Sequence, residues 1–255
     1  MIIFIKLLLA HLLGDFLLQP NKWVEDKEIK KHKSHYLYVH TLLHFLLAWI
    51  LIGDLFFGWF ALLLALSHGF IDFLKLKFQK KKNRITWFLV DQLLHLAVIV
   101  LLTFIWTNPI TNFDSFASAV SKLFEAPHLF SKYIWLYGTA MLFLTKPASI
   151  IIKNIISIWT PESKNDKSDD SLQNAGNVIG ILERLFVFYF VVNGNYEAIG
   201  FLLAAKSIFR FGDLKEAKDR KLTEYVLIGT LLSFGIAFAD ALVVNFSSIF
   251  GEFFY

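Results

Sequence analysis

An all-α, polytopic transmembrane helical bundle of about eight spans is the fold class this sequence predicts, and three observations predict it. Of the 255 residues, 56% are hydrophobic and 28 are Phe. Only 18% are charged, against roughly 25% in an ordinary soluble domain. The charges are clumped between apolar runs of about 20 residues, the length that crosses a bilayer core.

The opening stretch, MIIFIKLLLAHLLGDFLLQP, has an apolar run interrupted by His11 and Asp15. It lacks a basic leader and a small-residue cleavage pattern, so it reads as a retained first span rather than a signal peptide. The spans are expected near residues 2–19, 35–53, 56–77, 85–106, 130–158, 175–193, 196–211 and 222–248. Between the first two lies a charged linker, PNKWVEDKEIKKHKS, expected to form a short interfacial helix. Three regions follow from this division: a membrane half over 1–106, connecting loops with the fifth span over 107–173, and a C-terminal segment over 174–255.

Orientation comes from the Lys and Arg excess of cytoplasmic loops. Residues 20–34 hold five Lys, 77–84 five basic residues and 212–221 four. Each of these loops follows an odd-numbered span, so one orientation satisfies all three and places both termini outside. The net charge of +4 is explained by these loops and implies no nucleic acid. The chain has no cysteine, which excludes disulfides, thiolate metal sites and cysteine nucleophiles. No P-loop or Gly-x-Gly-x-x-Gly pattern occurs, so no nucleotide cofactor is implied.

Within the first four spans, His11/Asp15, His40/His44, His68/Asp72 and Asp91/His95 are each spaced i,i+4, which sets both members on one helix face. At 1.5 Å rise per residue, all eight fall within roughly 6 to 15 Å of the cytoplasmic boundary. Ionisable groups are costly in hydrocarbon, so they face the bundle interior and one another. Imidazole nitrogen with carboxylate oxygen is the ligand set of zinc, manganese or iron, so a divalent metal cofactor is expected on members of this layer. Asp15, Asp72 and Asp91 are the candidate catalytic carboxylates, with Gln19 and Gln92 as supporting donors. The same residues could instead form a proton or cation path. His32, His35 and His128 lie in or beside loops and are expected to be solvated.

The C-terminal half carries Glu183, Arg184, Lys206 and Arg210 inside apolar segments, and Lys146 precedes Pro147 in the fifth span. Two readings stand side by side. These residues form a substrate site for an anionic headgroup or phosphate, or Glu183 pairs with Lys206 or Arg210 to hold helices together.

The stretches AHLLGDFLLQ (Ala10 to Gln19), LSHGFIDFLK (Leu66 to Lys75) and VDQLLHL (Val90 to Leu96) resemble the bacterial and phage membrane family called domain of unknown function 3307. Ile179 to Phe234 resembles the C-terminal part of that family's longer members. The resemblance implies a multi-pass protein of the bacterial cytoplasmic membrane. A looser similarity, carried by the repeated His-x-x-x-Asp pattern at His11/Asp15 and His68/Asp72, is to membrane-bound metal-dependent hydrolases. The resulting expectation is a membrane metalloenzyme, a hydrolase of an anionic lipid-linked or phosphate-bearing substrate, possible as a homo-oligomer. The alternatives are a proton- or cation-coupled transporter, and a scaffold that recruits a soluble partner through Lys80, Lys81 and Lys82.

Overall fold

The computed structural model describes residues 1–108, 132–157, 170–211 and 219–250, and every regular element among them is helical. The helices are α1 (Ile2–Leu12), α2 (Asn21–Lys30), α3 (His35–Ile52), α4 (Gly58–Phe78), α5 (Arg84–Thr107), α6 (Lys132–Phe143), α7 (Lys146–Ile156), α8 (Asp170–Val192), α9 (Tyr196–Phe211) and α10 (Asp219–Phe250). Six stretches are long and apolar enough to cross a bilayer: His35–Ile52, Gly58–Phe78, Arg84–Thr107, Lys132–Ile156, Ala175–Val192 and Glu224–Ser247. The pattern is compatible with a multi-pass membrane protein. The remaining two expected spans are shorter helices, Ile2–Leu17 and Tyr196–Phe211. His128, the 160–173 loop up to residue 169, residues 212–218 and the side chain of Arg210 lie outside the described residues.

The chain divides into two compact units, Met1–Thr139 and Ala140–Tyr255. In the first unit α1 packs on α3 and α5, and α4 packs on the same two helices, which closes a four-helix ring. One end of its interior is apolar, filled by Leu7, Ala48, Phe57, Ala61, Leu64, Ile99 and Leu102. The other end holds the histidine and aspartate pairs. The outer faces are apolar as well: on α3, Leu42, Leu46 and Ile50 are exposed while His40, His44 and Ala48 are buried. Polar groups inside and aliphatic groups outside is the distribution that suits lipid rather than water as solvent.

Three local features shape this ring. The helix begun by α1 widens into a π turn over Leu13–Leu17, with i to i+5 spacing that is a rare departure from the α form. Pro20, extended at ψ 149°, then starts α2, which turns 81° from the first helix and runs across the bundle end. At the other end α3 stops at Gly53, whose φ of +76° supplies the left-handed cap that favours glycine.

α3 and α4 pack together, and at Gly69 an added Cβ would clash with Thr41 Oγ1. Gly69→Ala is therefore expected to destabilise the protein by about 1–3 kcal/mol. Adding Thr41→Ala, which removes the clashing atoms, should recover most of that loss. Thermal unfolding of the four proteins of this cycle in one detergent measures the coupling.

In the second unit α8 contacts α7, α9 and α10, and α7 also packs on α10. The expected fifth span is broken between Phe143 and Lys146, where Pro147 enters the first turn of α7 and has no amide hydrogen to donate.

Candidate metal centre

The ring brings all eight residues of the predicted layer into its interior. His11, His40, His44, His68, Asp72, Asp91 and His95 are buried, His44 completely, and Asp15 is nearly so. Asp15, on the π turn, is the point on which they converge. Its Oδ1 lies 2.9 Å from His44 Nε2, 3.2 Å from His40 Nε2 and 3.4 Å from His68 Nε2. His40 and His68 set their Nε2 atoms 3.1 Å apart. On the other carboxylate oxygen, His11 Nε2 lies 3.9 Å away and Gln92 Nε2 donates at 3.3 Å. Gln92 also reaches His11 Nε2 through its Oε1 at 3.2 Å, so it ties α5 to both members of the first pair.

Packing holds the rings in place. His68 is stacked between His44 and His95, with centroid separations of 3.6 and 4.0 Å. His44 lies directly over Gly14, where an added Cβ would sit 2.5 Å from its Cε1 and Nε2. Only a residue without a side chain fits beneath that ring.

The other two carboxylates have cationic partners. Lys27, from α2, donates to Asp72 Oδ2 at 2.8 Å in a pair that is buried on both sides. Lys75 donates to Asp91 Oδ2 at 2.7 Å. Asp72 keeps a looser approach to His40, 3.7 Å, and Asp91 to His95, 3.9 Å. His95 Nε2 is 3.4 Å from the backbone carbonyl of His68. Among the described residues, no lysine or arginine pairs with Asp15.

Three groups have ligand atoms within 4.8 Å of one another: His11, Asp15, His44 and His68; His40, His68 and Asp72; and Asp15, Asp91 and His95. These groups could hold a metal ion. The spacing fits one: ligands at 2.0–2.1 Å from a tetrahedral ion stand about 3.3 Å apart, close to the separations around Asp15 Oδ1. The side chains also need something further. A carboxylate oxygen offers two lone pairs, yet three imidazole nitrogens crowd one of them. The Nδ1 atoms of His40 and His44, on the ring edge away from Asp15, and that of His95 are buried without a hydrogen-bond partner and are not reached by an ion at that point.

A small cavity of about 60 Å³ adjoins the centre, lined by Asp15, Gln19, Lys27, His40, Asp72 and Lys75 together with Val24, Glu28, Leu76 and Gln79. It gives Asp15 and His40 a route to the end of the bundle covered by α2.

Residues 3–124 match the family model described as protein of unknown function (DUF3307). No curated protein and no solved structure matches the chain. The matched residues contain the whole layer, its lysines and the cavity. The second resembling stretch, Ile179 to Phe234, lies outside the matched residues.

In that C-terminal stretch, Lys206 donates to Glu183 Oε2 at 2.6 Å. Arg184 is buried, and its guanidinium fills the helix break. It donates to the Leu144 and Thr145 carbonyls at 2.7 and 3.3 Å and to the hydroxyls of Ser149 and Ser233 at 2.6 and 3.2 Å. The Leu144 and Thr145 carbonyls stand at the interruption of the helix, and Thr145 also accepts from the amide and the hydroxyl of Ser149. Lys146 is exposed beside the break, and His32 and His35 are exposed on the first unit.

Sequence reasoning did not single out Lys27, Lys75, Gly14 or Gly69. Lys75 carried a signal, since it follows Asp72 by three residues and so shares its helix face. Lys27 carried none, because its partner is 45 residues away.

The Lys27–Asp72 pair generates a stability test. Lys27→Met leaves a buried carboxylate unpaired and should cost about 3–5 kcal/mol. The double variant Lys27→Met/Asp72→Asn removes both charges and should regain most of that stability. Equal melting temperatures for the single and double variants would show that the pair is not a buried one in the native protein.

Proposed function

We propose that this chain is a membrane-embedded metalloenzyme of the hydrolase class, with one divalent cation held by Asp15 and the imidazoles of His11, His44 and His68. The observation that carries the reading is charge. The buried layer has three carboxylates and two ammonium groups, and the carboxylate left over is Asp15, the one that faces the histidine nitrogens. An unpaired buried carboxylate is strongly disfavoured. A cation at that point satisfies the carboxylate and the imidazole lone pairs together. Zinc, manganese or iron suit such a nitrogen and oxygen donor set.

A divalent ion would turn the remaining negative charge of the layer into a single positive one. Such an ion supplies an activated water and polarises a phosphoryl or acyl oxygen. The protein's own groups then have distinct tasks. Asp15 and the imidazoles hold the ion; Gln92 fixes His11 and Asp15 relative to each other; Gly14 lets His44 reach the centre. Asp72 and Asp91 serve as charge partners of Lys27 and Lys75 and keep those lysines at the layer. The reading carries with it eight membrane crossings, with Ile2–Leu17 and Tyr196–Phe211 as the short ones. It places the chain in a bacterial cytoplasmic membrane with both termini outside and the layer near the cytoplasmic face.

The same surplus charge also supports a second reading. A proton shared between Asp15 and the imidazoles would balance it equally well, which is the arrangement of a proton-coupled transporter.

Metal content separates the two readings. Elemental mass spectrometry on protein purified without chelators should find about one transition-metal ion per chain. Asp15→Asn, His44→Ala and Gly14→Ala should each lose most of it, while Asp91→Asn retains it. Metal removal should abolish hydrolysis in a screen of phosphate- and acyl-bearing lipids. Wild-type protein without metal, together with proton flux in proteoliposomes, would establish the transporter instead.

A further inference from the structure

We propose that the cavity beside Asp15 binds one phosphate group on Lys27, Lys75 and Gln19, and that it does so only once a divalent cation occupies the centre. The inference rests on the metal reading above and specifies the substrate chemistry of the same site.

Three observations carry it. The first is the supply of donors. Each lysine ammonium has three N–H groups; Lys27 gives one to Asp72 and Lys75 one to Asp91. Both line the cavity and keep donors to spare. Gln19 lines it too, and its Nε2 is buried without a partner.

The second observation is the sign of the charge. Glu28 at the rim is answered by Arg84 at 2.9 Å. The interior charges are then Asp15, Asp72 and Asp91 against Lys27 and Lys75. With these alone the site carries one excess negative charge and repels an anion. A divalent cation reverses that sign, and the low dielectric of the interior makes the reversal felt at full strength. Binding is therefore ordered, metal first and anion second.

The third observation is size and lining. About 60 Å³ is room for a group of a few water volumes, such as one oxyanion. Val24 and Leu76 are the only apolar residues among its lining, so no acyl chain is accommodated there. A phosphate reaches this place either as a free ion or as a lipid headgroup whose chains remain outside.

The test is calorimetric titration of inorganic phosphate into the full-length protein in phosphatidylcholine nanodiscs, in metal-loaded and metal-stripped form, with metal content measured on each sample. Phosphate should bind the loaded form at least tenfold more tightly than the stripped form. The charge-neutral variant Lys27→Met/Asp72→Asn, compared at equal metal content, should lose at least tenfold in phosphate affinity. Repeating the titration in nanodiscs containing phosphatidic acid identifies the source. Weaker apparent phosphate affinity there assigns the site to a lipid headgroup, and unchanged affinity assigns it to free phosphate. Equal affinity with and without metal, or no loss in the double variant, overturns the proposal. Metal present without any phosphate binding removes this inference alone, whereas absence of metal from the wild type removes the underlying reading as well.

Discussion

The burial of the Asp15 carboxylate is the constraint on which the first unit turns. A carboxylate enclosed by helices whose outer faces are aliphatic is matched from within the bundle, because those outer faces offer it no polar partner. The first unit matches it from every side of the ring. His40 and His44 come from α3, His68 from α4, Gln92 from α5 and His11 from its own helix. One polar centre thereby ties together four helices whose other contacts are largely apolar, and contacts of that kind choose between registers only weakly. The centre supplies the register.

Around it the same logic is applied a second time. Asp72 and Asp91 would add two more buried charges, and each is answered by a lysine. Lys75 comes from the end of α4, and Lys27 from α2, a helix that runs across the bundle end. The second unit solves a related problem without a carboxylate. There Arg184 bridges a broken helix through the Leu144 and Thr145 carbonyls.

Much of this was legible in the chain, for identifiable reasons. Helical class and the six long apolar helices follow from composition and run length, which lipid selects directly. The layer was legible because i,i+4 spacing and depth along a helix are properties of one helix at a time, and four helices reported the same depth. Partnerships across the bundle were not, since they depend on which helices are neighbours. Hence Gln92 could be named as a donor but not connected to His11 and Asp15, and Lys27 was counted among the linker charges. The first expected span is shorter for a related reason. Hydropathy does not register the π turn, after which the helix ends at Leu17 rather than at residue 19, whereas the short seventh helix, Tyr196–Phe211, has the bounds expected of it. Gly14 and Gly69 were invisible because the close approaches that require them come from other helices.

The π turn at Leu13–Leu17 sets the phase of the first helix. Leu7 belongs to the apolar end of the interior and Asp15 to the polar end. Eight residues of regular α-helix would rotate one about 80° away from the other. The wider turn takes up part of that angle, so both can face inward. Its length is therefore a count rather than a shape: one residue removed from it would leave the helix intact as a helix, yet oblige it to choose between its oily half and its acid.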